Sequence, residues 1–195
     1  LAEPVADALL YPLWDAKLEV GHQIVTPADL LAVCREDLPT ATSLLDWRYV
    51  AGDQALSDSL IASARQGGFA TSELPALFAR FEEEVAKRHR RFGGSVYLLE
   101  PDVKYGPGGL RDLDVAWWAC RARWNVTDFE GLVRVGVLVP RQLVAVARAR
   151  ERLWRVRNVL HAGAGRRQDR LGFDEQDRVA PLLGYCPADA EPGDQ

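Results

Sequence analysis

The segment LEPDVKYGPGGLRDLD, from Leu99 to Asp114, gathers residue types that could bind phosphate. Its Pro-Gly-Gly tripeptide at residues 107–109 predicts a sharp turn, and a helical pattern begins at Leu110. Free backbone amides at the start of a helix attract anions, to which Lys104 and Arg111 would add positive charge. The segment therefore predicts either an anion-binding loop or a charged corner with a structural role.

The structural alternative uses the same residues differently. The glycines would supply backbone conformations that other residues rarely adopt, and Arg111 would pair at the surface with Asp112 or Asp114. Because a single Gly-Gly turn is a weak signal, composition alone slightly favours this corner.

A second group of candidate residues, which includes two arginines, follows one half-apolar stripe of a helix predicted from Pro140 to about Ala162. Its members, at helical spacing, are Arg150, Trp154, Arg157 and His161. Arginines on a half-apolar stripe need carboxylates, phosphates or water. Internal salt bridges, with Asp112 or Asp174, are the favoured interpretation, and an anion site is the alternative.

Two further basic segments are predicted to face solvent. The sequence GRRQDRLGFD places Arg166, Arg167 and Arg170 in a charged loop beyond the end of the long helix. The run from Lys87 to Arg91 closes another predicted helix, where positive charge complements the negative helix end. Both are interpreted as solvated surface.

The elements that must position these residues are mostly helical. Helices are predicted over Pro4–Ala16, Thr40–Ala51, Leu110–Arg121 and Pro140–Ala162, with another opening at Ser72. A helix beginning at Pro27 is also predicted, with Thr26 as its N-cap. Thr127 and Glu130 match the capping box of a further helix.

Strand patterns are few. Apolar and polar residues alternate from Leu18 to Ile24, which predicts a strand with His22 on its buried side. The segment Val96–Leu99 is a second, shorter candidate. Because a lone strand cannot satisfy its backbone edges, either the two pair or the remaining sheet lies upstream. The predicted fold class is mainly α: one or two strands from the edge of an α/β domain, followed by a helical bundle.

Composition narrows the class of protein. The 195 residues are 48% hydrophobic and 27% charged, with a net charge of -4, a globular balance that argues for neither nucleic acid nor a membrane as partner. Cys34, Cys120 and Cys186 are far apart and predict reduced thiols in a cytoplasmic protein. No signal peptide or membrane-spanning run is visible. The lack of methionine suggests that the sequence was cut from a longer one.

Five stretches, read in order, resemble one protein family. They are YPLWDAKLEVGH (Tyr11–His22), ATSLLDWRYVAGD (Ala41–Asp53), LEPDVKYGPGGLRDLD, LWRVRNVLH (Leu153–His161) and GRRQDRLGFDEQDRVAPLLGY (Gly165–Tyr185). In this order they resemble the bacterial PII uridylyltransferase/uridylyl-removing enzymes of nitrogen sensing. The resemblance runs from about Tyr11 to Tyr185, and the stretch that begins at Leu99 is its most specific part.

The resemblance implies a nucleotidyltransferase domain, a helical domain, an HD-type hydrolase domain and two ACT domains. Residues 1–26 would be the C-terminal part of the nucleotidyltransferase domain, and residues 27–185 would form the helical substrate-side domain. Residues 186–195 would be a disordered tail or linker. The implied reaction transfers UMP from UTP to a tyrosine of the PII signalling protein, with Mg²⁺ as cofactor and pyrophosphate as product. Since the metal-binding Asp-x-Asp would precede Leu1, we expect the chain alone to be inactive.

In such an enzyme the cations described above become candidate ligands for the nucleotide. The substrate-binding candidates are Lys104, Gly108, Gly109, Arg111, Asp112, Arg157, Arg166, Arg167 and Arg170. The catalytic and metal-binding residues stay unknown, with Asp15 a weak candidate and Glu19 the other local carboxylate. Two residues depart from the family pattern: Val25 replaces an arginine beside the nucleotide cleft, and Asp114 replaces a neutral residue or histidine.

Two rival functions stay open on the sequence alone. A related nucleotidyltransferase would act on another target, and a preference for ATP over UTP would reveal it. A helical protein-binding module would dock its partner through arginines and bind no nucleotide.

Overall fold

The computed structural model describes residues 2–185, and the chain divides into two compact units after Ala70. Unit 1 contains α1 (Ala2–Asp15), α2 (Pro27–Glu36), α3 (Leu38–Leu45) and α4 (Gln54–Gln66). Unit 2 contains α5 (Leu74–Arg91), α6 (Leu110–Trp124), α7 (Phe129–Arg134), α8 (Pro140–Ala164) and α9 (Phe173–Leu182). Residues Asp102 and Arg170 form an isolated antiparallel bridge. The predicted mainly α fold class is confirmed.

In unit 1, α2 packs against α3 and α4. Thr26 caps α2 as predicted: its hydroxyl oxygen accepts from the amide of Asp29 at 3.2 Å, and Pro27 is the first helical residue. The buried apolar residues of this unit include Leu30, Cys34, Ala41, Leu44, Leu45, Leu60, Ala64 and Phe69. These side chains form the interior between the three helices.

The helix predicted over Thr40–Ala51 is shorter and begins earlier. A carboxylate oxygen of Asp37 accepts from the amide of Thr40 at 2.8 Å, which fixes the start of α3 at Leu38. The sequence prediction missed α4 altogether. Its N-cap is Asp53, whose carboxylate accepts from the amide of Leu56 at 3.2 Å.

The strand predicted over Leu18–Ile24 does not form. Apart from the half-buried Val20, these residues are exposed, and no described strand pairs with them. His22 is exposed rather than buried, and its ring centroid lies 5.6 Å from that of Trp14. The shorter candidate Val96–Leu99 forms exposed turns instead. Alternation predicts a strand only where a neighbour completes the hydrogen bonds.

Helix α8 is the central element of unit 2, in which it packs against α6, α7 and α9. Leu160 of α8 is completely buried, and it packs with Val103 and Val179. The chain segment before α6 and the helix α9 are thereby fixed to the C-terminal half of α8. This core positions the candidate residues described below.

Most helices of unit 2 were predicted, but the sequence prediction missed α9 (Phe173–Leu182), and one helix cap needs correction. Helix α8 begins at Pro140 as predicted and ends before Gly165, whose φ is 61°. The predicted capping box of Thr127 and Glu130 is wrong, because the N-cap of α7 is Asp128. Its carboxylate accepts from the amide of Gly131 at 2.6 Å, which moves the helix start by one residue.

Several predictions concern features outside these helices. The tail at residues 186–195, with Cys186, lies outside the described residues. Cys34 and Cys120 are thiols that form no disulfide. The domain boundary after residue 26 stays a prediction, since the division after Ala70 reflects compactness alone. In the described part of the chain, every helix is too short or too polar to cross a membrane.

Candidate functional site

The glycine loop, residues 102–109, leads into α6 and is closed by its own first residue. One carboxylate oxygen of Asp102 accepts from the amides of Lys104, at 3.0 Å, and Tyr105, at 2.6 Å. The carbonyl oxygen of Asp102 accepts from the amide of Gly106 at 3.0 Å. Asp102 therefore folds the loop into a tight turn before the glycines are reached.

Two glycines of the loop are required by its geometry. A Cβ at Gly109 would lie 2.9 Å from the carbonyl oxygens of Val103, Lys104 and Gly106, three backbone atoms with little freedom to move. Gly108 has a φ of +77°, in the left-handed region that favours glycine. The Gly-Gly pair thus has a structural cause whether or not a ligand binds there.

The amides predicted to be free at the start of α6 are already bonded. The amide of Leu110 donates to the carbonyl of Val103 at 3.0 Å, and that of Arg111 donates to Lys104 at 2.8 Å. The amide of Gly108 donates to a carboxylate oxygen of Asp112 at 2.7 Å. These three amides therefore already have partners within the protein, which removes the free amides that the helix-start prediction assumed.

Asp112 also contacts two side chains from the end of α5, an arginine and a histidine. Its Oδ1 lies 2.8 Å from Nη2 of Arg88 and 2.9 Å from Nε2 of His89. Burial acts to raise the pKa of Asp112, but the hydrogen bonds from Gly108, Arg88 and His89 outweigh it and hold the pKa below its usual value. Asp112 is a charged anchor between α5, the glycine loop and α6.

Arg88 corrects the prediction that the run Lys87–Arg91 is a solvated helix end. Its side chain is only 6% exposed, and it also bonds Glu84 and the carbonyl oxygen of Tyr105, both at 3.0 Å. The signal was available in the sequence, because Arg88 lies seven residues after the buried Phe81 and so shares its helix face.

Lys104 and Arg111 come together around the ring of Tyr105. Lys104 Nζ lies 4.6 Å from the ring centroid, and Arg111 Cζ lies 5.9 Å from it and 5.4 Å from that of Trp118. The hydrogen bond from Lys104 lowers the pKa of Tyr105, with burial opposing and Arg111 adding to the effect. We call this group, Lys104, Tyr105 and Arg111, the cation corner.

Nearby carboxylates partly compensate the charge of the cation corner: Arg111 pairs with Asp114, and the positive charge of Lys104 contributes to lowering the pKa of Asp169. Arg111 Nη1 lies 3.4 Å from Asp114 Oδ2, a longer separation than the buried ion pair of Arg88 with Asp112. The predicted surface pair therefore forms with Asp114 and not with Asp112. Since Lys104 and Arg111 are each only partly buried, both can reach an external anion.

A second anchor fixes the other side of the glycine loop. Asp169 accepts from Arg157 Nε at 2.7 Å, and its Oδ1 lies 3.0 Å from His161 Nε2. The carbonyl of Asp169 accepts from the amide of Val103 at 2.8 Å. Burial raises the pKa of Asp169, but the bonds from His161 and Arg157 outweigh it, and the net change is downward. The expected salt bridge of Arg157 thus exists, although its partner is neither Asp112 nor Asp174.

The other basic candidates, Arg166, Arg167 and Arg170, belong neither to the cation corner nor to the two anchors of the glycine loop. Arg170 Nη2 lies 2.7 Å from Glu100 Oε2, and the other oxygen of Glu100 accepts from the amide of Phe173 at 3.1 Å. Arg166 and Arg167 are exposed in the segment after α8. Their proposed binding of nucleotide stays a prediction, as does that of the glycines.

The sequence reasoning missed three residues that shape this site. Tyr105 gives both cations an aromatic surface, whereas Glu100 and Asp169 pair with arginines that the sequence had singled out. Asp169 and Glu100 both lie within the segments that carried the family resemblance, which was the available signal. Their pairing joins residues far apart in the chain and is not readable from spacing.

Unit 1 contains a cavity of about 930 Å³, large enough for a small ligand. Its lining includes Val25, together with Arg48, Trp47 and Tyr49. The wall residue that the resemblance places beside the nucleotide cleft is thus apolar here, and Arg48 brings a positive charge to the same cavity.

The described residues do not fit a magnesium site. Among them, no three His, Cys, Asp or Glu side chains come close enough together to hold a metal ion. Asp15 and Glu19, the two local candidates, are both exposed in unit 1. We therefore assign no metal-dependent step to this chain.

Comparison with known proteins identifies the family. A profile described as GlnD PII-uridylyltransferase matches residues 76–193. The bifunctional uridylyltransferase/uridylyl-removing enzyme of Cereibacter sphaeroides is 40% identical over 185 residues, which cover 95% of this chain and 20% of that protein. Enzymes of the same name from Nitrobacter hamburgensis and Rhodospirillum rubrum are also 40% identical, over 94% and 95% of this chain and 20% of theirs. No solved structure matches the chain.

The chain spans about a fifth of the length of these curated relatives. The profile match includes the glycine loop, both of its anchors and the cation corner. The profile match covers more than half of the chain, and the similarity to the named enzymes covers nearly all of it. Both comparisons identify the same family. The chain belongs to the GlnD PII-uridylyltransferase family.

Proposed function

We propose that this chain is part of a protein-PII uridylyltransferase, which transfers UMP from UTP to a tyrosine of the PII protein. In this reaction the tyrosine oxygen bonds to the α-phosphorus of UTP, the bond to the β-phosphate breaks, and pyrophosphate leaves. Because the chain spans about a fifth of its relatives, the complete reaction belongs to a longer protein. We expect this chain alone to be inactive, and magnesium to be bound outside the described residues.

The cation corner is the observation that carries this proposal. Lys104 and Arg111 present two positive charges around the ring of Tyr105, within the part of the chain that matches the family profile. Phosphoryl transfer is accelerated mainly by positioning and by positive charge near the phosphates. The two cations have the charge and accessibility for this role.

The anchors of the glycine loop support the same role. Arg88 with Asp112 holds one side of the loop, and Arg157 with Asp169 holds the other. A cation on a loop fixed in this way loses little freedom when a phosphate binds, so its charge is preorganised. The two salt bridges position the loop, and Lys104 and Arg111 would contact the nucleotide.

The test is a segment exchange. The matched region of the Cereibacter sphaeroides enzyme is replaced by this chain, and transfer of labelled UMP from UTP to PII is measured. We expect transfer, and we expect Lys104→Ala or Arg111→Ala to lower it about tenfold each, as the loss of one charged hydrogen bond to phosphate would.

The matched control is Arg123→Ala, which removes an exposed arginine of the same helix as Arg111. It should leave transfer unchanged, and thermal melting should show that all variants stay folded. The same changes at the aligned positions of the intact relative give a second test if the exchanged enzyme folds poorly. Full transfer by the Lys104→Ala, Arg111→Ala double variant would overturn the role of the corner.

A further inference from the structure

A cavity of about 350 Å³ lies on an exposed face of α8, beside the end of α9. Its lining consists of Arg148, Glu151, Arg152, Arg155, Leu183 and Tyr185. Three guanidinium groups and one carboxylate give a formal charge of three minus one, or +2. We call it the arginine cavity.

The three arginines share one face of the helix. Arg148, Arg152 and Arg155 are separated by four and three residues, which places them one above the other on successive turns. With a rise of 1.5 Å per residue, their Cα atoms span about 10 Å along the axis. Arg152 Cζ lies 6.0 Å from the ring centroid of Tyr185, which closes one side of the cavity.

The charge of the arginine cavity is not balanced by the described part of the chain. Arg157 of the same helix has Asp169 at 2.7 Å, and Arg170 has Glu100 at the same distance. No ion pair with a described carboxylate is present at Arg148, Arg152 or Arg155. Like charges on adjacent turns repel, so an anion bound between them would stabilise the protein.

The size and shape of the cavity narrow the ligand. Ligand cavities commonly measure about 300–1,000 Å³, so this one suits a compact group rather than a protein segment. Guanidinium groups bind phosphate oxygens through paired hydrogen bonds. The half-exposed ring of Tyr185 offers a flat surface on which a nucleobase can stack.

We propose that the arginine cavity binds a di- or triphosphate group, either as free pyrophosphate or as the phosphate chain of a nucleotide. Arg148, Arg152 and Arg155 are its ligands, and Glu151 limits its affinity by repulsion. The site uses none of the residues of the cation corner. It is therefore independent of the proposed function and adds a second anion site to unit 2.

Calorimetric titration of the 195-residue chain with sodium pyrophosphate, at constant ionic strength, tests the site. We expect Arg152→Ala and Arg155→Ala to weaken binding about tenfold each, because each removes a charged hydrogen bond to phosphate. Glu151→Gln should tighten binding. The control is Arg141→Ala, an exposed arginine seven residues before Arg148 on the same face but outside the cavity, which should change nothing.

Further titrations separate the cavity from the cation corner and identify the source of the phosphate. Binding that persists in Lys104→Ala and Arg111→Ala but falls in Arg152→Ala supports the arginine cavity. Loss only in the Lys104 and Arg111 variants overturns it, while leaving the proposed function intact. UTP binding that weakens in Tyr185→Leu, with pyrophosphate binding unchanged, supports a nucleotide; no effect on either ligand supports free pyrophosphate.

Three results would overturn the proposal directly. They are wild-type affinity in Arg152→Ala, equal weakening in the Arg141→Ala control, and binding of phosphate-free uridine as tight as that of UTP. Because Arg141, Arg152 and Arg155 are exposed, we expect these variants to fold, and circular dichroism checks this for every variant.

Discussion

Arg88 Nη2 lies 2.8 Å from Asp112 Oδ1, and this ion pair joins the end of α5 to the first turn of α6. The arginine is almost fully buried, whereas about a quarter of the aspartate side chain, 26%, is exposed. Asp112 also accepts a hydrogen bond from the amide of Gly108, which lies in the loop between the two helices. One carboxylate thus links both helices and the loop that presents Lys104 and Arg111.

Replacing Arg88 by methionine tests the strength of this link. The change keeps most of the buried volume but leaves Asp112 without its guanidinium and the carbonyl of Tyr105 without a donor. We expect the free energy of unfolding to fall by about 2–3 kcal/mol, measured by urea denaturation. The matched change Arg90→Met, at an exposed position on the same helix, should cost less than about 0.5 kcal/mol. Equal costs would contradict the assignment.

The pH dependence of stability tests the same carboxylate. The pKa of Asp112 is lower in the folded state than its ordinary value of 3.8, so the folded protein resists its protonation. The stabilisation is therefore complete at pH values above the ordinary pKa of 3.8. It is lost as the pH falls through the lower pKa that Asp112 has in the folded protein.

In Asp112→Asn this contribution is absent at every pH. We expect the variant to be less stable than the wild type at neutral pH, and the difference to shrink as the pH falls below about 4. Chemical denaturation across this range measures it. A difference that stays constant with pH would mean that Asp112 has the same pKa in the folded and unfolded chain.

Local sequence patterns predicted most of the helices of unit 2, but not the contacts between them. The apolar stripe of α5 and the Pro140 start of α8 follow from periodicity and from the fixed φ of proline. The pairing of Arg88 with Asp112 joins residues 24 positions apart. Such contacts depend on how the helices pack, which spacing along one helix does not reveal.

The glycine loop shows why the candidate site was only half predictable. Its residue types are compatible with an anion site and with a closed corner, because glycine, lysine and arginine suit both. The structure decides one part, since the amides of Leu110 and Arg111 bond carbonyls of the loop itself. The side chains of Lys104 and Arg111 both lie against the ring of Tyr105, and their binding of phosphate stays a prediction.

Alanine at the two loop glycines should have unequal effects. At Gly109 a Cβ would meet three carbonyl oxygens at 2.9 Å, so the loop must open to accept it. At Gly108 it would meet no atom within 4 Å, and only the positive φ is unfavourable. We expect Gly108→Ala to cost about 1–2 kcal/mol and Gly109→Ala to cost more, in urea denaturation. A larger cost at Gly108 would show that the loop is not closed as described.

Titration of Tyr105 tests whether the cation corner exists in solution. The hydrogen bond and charge of Lys104, with a contribution from Arg111, hold the pKa of this phenol below its ordinary value of 10.0, although burial opposes them. The ultraviolet absorbance of tyrosinate, taken as the difference between the wild type and Tyr105→Phe, isolates this group from the other tyrosines. Lys104→Ala should raise the pKa of Tyr105, whereas Lys87→Ala, an exposed lysine of α5, should not. Circular dichroism over the same pH range confirms that the protein stays folded during the titration. An unchanged pKa in Lys104→Ala would place Lys104 away from Tyr105 and remove the geometric basis for a preorganised phosphate contact.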